Sequence, residues 1–227
     1  MKTREILAAL RAEANPGNVA GMARYGINPH NTLGVPIPVL RCLAKQCGKD
    51  HELALRLWDS GLHEARILAS MVADREQVTK SMMDRWAKDF DSWDVCDQVC
   101  GNLFRYTPYA RDKAMQWGGR KQEFVKRAAF SLIAGIVVAD KQAGNASFLP
   151  FLEIIEREAH DERNFVKKAV NWALRSIGKR NLYLNRKAVA AARRILKQDS
   201  KAAQWVARDA LRELTDKGLE ERLKQKS

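Results

Sequence analysis

Three segments repeat one pattern: Phe124-Val125-Lys126-Arg127-Ala128, Phe165-Val166-Lys167-Lys168-Ala169 and Trp205-Val206-Ala207-Arg208-Asp209. They recur about every 40 residues, a period that fits one helix pair per copy. A unit of that size cannot bury its apolar face alone. It stacks on the next copy and presents equivalent residues as rungs along one surface. Here the rungs are Arg127, Lys168 and Arg208. A cationic ladder on stacked helices suits a long polyanion.

The rest of the chain agrees with a helical array. Apolar residues recur at intervals of three and four, rarely at two, and no persuasive strand is found. Thr3 is the expected N-cap of a first helix running to Ala14, and Asn15-Pro16-Gly17 opens a second that ends at Tyr25-Gly26. Asn28 to Pro38 carries Pro29, Pro36 and Pro38 and reads as a loop. Helix is expected over Val39–Cys47, from the Asp50 cap to Trp58, over His63–Ala73, and over Lys80–Phe90 behind the Thr79 cap. Ser92 is the expected cap of the next helix, and Thr107-Pro108 opens another that Gly118-Gly119 closes. Longer helices follow at about 121–140, 147–159, 162–179, 185–197, 201–215 and 218–225. The predicted fold is all-α, a superhelical array of HEAT-like antiparallel helix pairs with a concave basic groove. It forms one domain over residues 1–227, with about 220–227 fraying.

Charge narrows the partner. Lys and Arg total 40 against 27 acids, a formal balance of +13. That excess favours nucleic acid or an anionic membrane surface. The longest apolar run, Ala128 to Ala139, contains Ser131 and Gly135 and is too short for a bilayer, so it reads as a buried core helix and no membrane partner is expected. Cys42, Cys47, Cys96 and Cys100 form no C-x-x-C pair, and the four histidines are scattered, each expected as a surface or capping residue. No metal and no cofactor are expected. Without a secretory leader these thiols read as reduced and the chain as cytoplasmic. Phosphate-loop, dinucleotide and nucleophile-elbow motifs are absent.

Ser92-Trp93-Asp94-Val95-Cys96-Asp97 opens a helix on which Trp93 and Asp97, four apart, share a face. Val95, Val99 and Leu103 supply its core stripe, and Cys96 and Cys100 read as packing residues. Trp172 lies one turn after Lys168. If adjacent repeats stack, Trp93, Asp97, Arg127 and Trp172 are expected on one concave surface.

These motifs resemble the AlkD family of bacterial DNA alkylation repair glycosylases. The likeness covers Asn15-Pro16, Met22-Ala23-Arg24-Tyr25, Leu33-Gly34-Val35 and Pro38-Val39-Leu40-Arg41. It continues through Ser92–Asp97, which resembles the family's S-W-[W]-D-x-x-D segment, and through Phe124–Phe130. Phe165–Arg175 is similar to its F-x-x-K-A-x-x-W-x-L-R segment. Some relatives carry an aromatic doublet where this chain has only Ser92-Trp93, a departure that bears on cleft shape.

The resemblance implies that Asp97 is the catalytic aspartate, Trp93 and Trp172 the aromatic walls of a lesion cleft, and Arg127 its cleft arginine. Tyr25 would lie near a bound duplex. The implied reaction is release of cationic N3- or N7-alkylated purines from duplex DNA without a snug base pocket. Lys126, Lys167, Lys168, Arg175, Lys179 and Arg208 are the candidate DNA contacts beside Tyr25. The expected partner is duplex DNA carrying alkylated bases, with no obligate protein partner. A non-catalytic repeat protein that recognises damaged or branched nucleic acid is the alternative. A protein-interaction scaffold is a third, against which the charge and the Trp93/Asp97/Arg127/Trp172 set weigh.

Overall fold

The structure is a computed structural model that describes residues 2–225; residues 226–227, part of the segment expected to fray, lie outside the described residues. Among the described residues there are fourteen α-helices and no strand. The array expected over 1–227 divides into two compact units that meet in sequence at Thr107 and Pro108.

The first unit holds α1 (Thr3–Ala12), α2 (Pro16–Arg24), α3 (Ile37–Cys47), α4 (His51–Asp59), α5 (His63–Val72), α6 (Lys80–Lys88) and α7 (Trp93–Asn102). Helices α3, α5 and α7 form a row, each packed on the next, with α4 against α5 and α1 against α4. The core gathers around Trp58 and Trp86, whose rings stack at 3.9 Å, with Phe90 and Phe104 at their edges. Burial of the Trp58 ring leaves one polar atom to satisfy, and its Nε1 donates to Asp89 at 2.8 Å.

Local chemistry explains the helix starts. Asn15 accepts from the Asn18 N–H at 3.1 Å, Asp50 from Leu53 at 2.8 Å and Thr79 from Met82 at 3.1 Å. Each satisfies a first-turn donor that has no partner within its helix. The cap of α1 is Lys2 rather than Thr3, because the Glu5 carboxylate reaches back to the Lys2 N–H at 2.8 Å. Helix α3 begins at Ile37, inside the stretch expected as loop. Pro38 sits in its first turn, where a missing N–H costs nothing. Ser92 precedes α7 without capping it, since its Oγ accepts instead from the Asn28 N–H at 2.9 Å.

The second unit holds α8 (Ala110–Gly118), α9 (Glu123–Ala139), α10 (Leu149–Glu158), α11 (Asn164–Gly178), α12 (Leu182–Ile195), α13 (Lys201–Leu214) and α14 (Lys217–Gln225). The three copies of the repeated pattern open α9 and α11 and occupy the middle of α13. Helix α9 packs on α11 and α11 on α13, while α8, α10 and α12 form the companion row. Side chains of successive copies meet. The Phe124 and Phe165 rings lie 5.8 Å apart, and Lys167 Nζ sits 5.1 Å over the Trp205 ring. Helix α9 is the expected core helix, buried continuously from Val125 to Val137. Gly118 admits this packing: a Cβ there would lie 2.2 Å from Ile154 Cδ1 on α10. No helix among the described residues is long and apolar enough to cross a membrane.

Candidate functional site

Helix α7 is anchored through Val95, Cys96, Val99 and Cys100, all buried, as the apolar stripe predicts. That anchorage turns Trp93 and Asp97 to the opposite face. There they line a cleft of about 640 Å³ in the first unit, together with Tyr25, His63, Glu64 and Asp94. The apolar wall comes from Met22, Ile27, Val35, Ile37 and Ile67. The structure therefore brings Tyr25, Trp93 and Asp97 together from two segments that lie far apart in sequence. Trp93 is fixed in its orientation because its Nε1 donates to the Tyr25 carbonyl at 3.0 Å. The Tyr25 side chain, by contrast, is 75% exposed.

The loop between α2 and α3 forms one rim of the cleft and is tied down at both ends. Glu64 is buried at the start of α5 and accepts from the backbone N–H groups of Leu33, Gly34 and Val35 at 3.0, 2.6 and 3.3 Å. Charge-assisted bonds of this kind are roughly twice as strong as neutral ones. Gly34 is required where the loop turns, at φ 77°, because a Cβ would lie 2.4 Å from the Asn15 carbonyl oxygen. Asn28 fastens the other end of the loop, donating to Asp91 Oδ2 at 2.9 Å as well as to Ser92.

His63 was expected as a surface or capping residue. It is instead buried on the cleft wall, with Nε2 2.8 Å from Asp94 Oδ2. Burial opposes its charged form. The hydrogen bond to Asp94 and the negative charges of Asp94, Glu64 and Asp91 outweigh that penalty and hold the imidazole above its ordinary value. The cleft thus contains a paired imidazole and carboxylate one turn from Asp97. The sequence signal for this pair was weak: His63-Glu64 at a helix start, and Asp94 within the Ser92–Asp97 segment, 31 residues away.

The remaining expected residues belong to the second unit. Arg127, on α9, is 6% exposed, and its Nη1 donates to the Phe165 carbonyl at 2.6 Å. Of the three ladder rungs, Lys168 and Arg208 are exposed and Arg127 is enclosed. Trp172, on α11, is 37% exposed and follows Lys168 by one turn. Arg175 and Lys179 share Glu213, at 2.6 and 2.8 Å. Arg208 bonds Gln204 at 3.3 Å. Lys167 leans over Trp205.

Lys126, expected as a DNA contact, turns inward. It is 8% exposed, and its ammonium lies 2.8 Å from Glu158 and 3.0 Å from Asp161. Its neighbour on α9 faces about 100° away, so the two cannot serve one surface. Burial resists ionisation of Asp161, but Arg163 and Lys126 overcome this and draw its carboxyl down to about 2.

Comparison with known proteins bears on this arrangement. Residues 6–214 match the family model for DNA alkylation repair enzymes. A solved structure described as belonging to "a new family of proteins related to the HEAT-like repeat DNA glycosylases with affinity for branched DNA structures" superposes with a TM-score of 0.77. It is 21% identical, and the match covers 94% of this chain and 95% of that one. The shared fold is therefore that of HEAT-like helical repeats. An engineered protein, 14% identical, matches over 78% of this chain and 90% of its own with a TM-score of 0.38. No curated protein matches the sequence.

Proposed function

Because the chain belongs to the DNA alkylation repair enzyme family, we propose that it is a DNA glycosylase hydrolysing the N-glycosidic bond of cationic N3- or N7-alkylated purines in duplex DNA. The observation that carries this reading is the cleft in which Trp93 and Asp97 stand side by side on one face of α7, with Tyr25 at its edge.

An alkylated purine of this class already carries positive charge. When the C1′–N9 bond breaks, the bonding electrons leave with the base, which departs neutral. No general acid is needed, unlike sugar hydrolysis with its paired carboxylates. Positive charge moves to the deoxyribose as an oxocarbenium-like ion. Asp97 stabilises that charge as a carboxylate and orients the water that adds to C1′, accepting its proton as the new C–O bond forms. The Trp93 face attracts the cationic nucleoside, contributing roughly 0.5–2 kcal/mol. The family resemblance implies an aromatic role for Trp172 as well, whereas Arg127, enclosed and bonded to the Phe165 carbonyl, is not assigned a phosphate. Lys168 and Arg208, both exposed, supply salt-sensitive phosphate contacts. Selection then follows lesion charge, and neutral lesions are poor substrates.

A second reading, DNA binding without catalysis, draws on the solved relative described as having affinity for branched DNA. One experiment separates the two. Purified protein with chelator present is incubated with alkylated duplex, and free 7-methylguanine and 3-methyladenine are measured. Release above the protein-free rate supports the glycosylase. Tight binding with no release supports the binding protein.

A further inference from the structure

The second unit carries a cationic surface around an indole, Trp205, that base release does not use. On α13, Lys201, Trp205, Arg208 and Arg212 follow one another at spacings of four, three and four, which places them on one helical face. All four are exposed. With Gln204 and Asp209 they line a hollow of about 520 Å³. Trp205 remains 40% exposed. Lys167 reaches over its ring from α11. Asp209 is the one carboxylate among the lining residues. It is bonded to Arg212 and lies 3.8 Å from Arg175, so its charge is countered locally. Four cations, Lys167, Lys201, Arg208 and Arg212, thus surround one solvent-facing indole against a single acid.

We propose that Trp205 is a stacking platform for an unpaired nucleotide of DNA, with Lys201, Arg208 and Arg212 taking the adjoining phosphates. A flat π face ringed by cations is the combination that holds single strands, because every base offers a face and every nucleotide a charge. An intact duplex has no use for the indole, since its bases already stack on one another. The ligand is therefore a strand end, a gap or the unpaired arm of a branch. An acidic protein surface would use the cations but would not require a planar ring among them. The proposal rests on the reading of the chain as a DNA-binding protein and is independent of base release.

The test uses the full chain and three undamaged ligands carrying a fluorescent end label: a blunt duplex, the same duplex with an overhang of about ten thymines, and the thymine strand alone. Anisotropy titrations at one fixed salt concentration compare wild type, Trp205→Ala and Trp205→Phe. Wild type should prefer the overhang duplex to the blunt one by about tenfold. Trp205→Ala should remove most of that preference while blunt-duplex affinity stays within about twofold, and Trp205→Phe should keep it, because a phenyl ring still stacks. Wild type that binds blunt duplex without preferring the overhang overturns the proposal and leaves the DNA-binding reading standing. An equal loss on all ligands in Trp205→Ala, or an unchanged preference, overturns it as well. Wild type with no affinity for any of the three ligands overturns both. Should Trp205→Ala fold poorly by circular dichroism, Trp205→Leu gives the same reading with the helix face filled, and it should behave as the alanine variant.

Discussion

Replacing Glu64 tests how the cleft is built. Its carboxylate gathers three backbone N–H groups, with Oε1 receiving Leu33, Gly34 and Val35 and Oε2 also receiving Leu33. In Glu64→Gln the amide oxygen can keep some of these contacts, but all become neutral, and the new NH2 opposes the Leu33 N–H. Losing the charge-assisted share of three bonds costs about 1 kcal/mol each, so about 3 kcal/mol in total. Glu64→Ala strands the buried donors and costs at least as much. Urea unfolding followed by circular dichroism measures the loss, and amide hydrogen exchange at Leu33, Gly34 and Val35 localises it. Accelerated exchange at those three amides, with slow exchange kept in α9, is the expected pattern. A stability change below about 0.5 kcal/mol with protection of the three amides intact would refute the claim that Glu64 holds the rim.

Four further outcomes follow from the same structure. The His63 imidazolium is favoured in the folded state, so its stabilisation is complete below the unfolded value of about 6.5 and fades as pH rises through the higher folded value. Unfolding free energy should therefore fall as pH rises above about 6.5, and Asp94→Asn should flatten that slope. Lys126→Ala leaves Glu158 and Asp161 together without their shared cation and should cost about 3 kcal/mol, while the salt dependence of DNA binding stays unchanged. Asp161 has a depressed folded value, so its contribution is present above about 4 and disappears as pH drops through about 2. Arg208→Glu should do the reverse of Lys126→Ala, weakening DNA binding and shallowing its salt slope at unchanged stability.

What could be read from the residues was what repeats locally. The period of the Phe124, Phe165 and Trp205 segments located α9, α11 and α13, and the Val95, Val99, Leu103 stripe fixed which face of α7 is buried. Knowing the buried face also fixed the open one, so Trp93 and Asp97 were legible as neighbours from their spacing alone. Contacts between distant segments were not legible. The Glu64 staple joins residues about 30 apart, and nothing in a glutamate at a helix start says which loop will reach it. The Ser92 hydroxyl had the sequence of a cap, but a loop N–H 64 residues away took it first. Lys126 illustrates a second kind of difficulty. Two cations adjacent on a helix face different directions, and only the position of α10 decides which one meets carboxylates.

The measurement that bears most directly on the proposed chemistry is base release by Asp97→Asn. This variant keeps the size of the side chain and removes the charge that would meet the oxocarbenium-like sugar. Single-turnover release of 7-methylguanine from alkylated duplex, measured beside duplex affinity, should show release falling by at least about a hundredfold while the dissociation constant stays within about threefold of wild type. Release at the wild-type rate in Asp97→Asn would contradict the account.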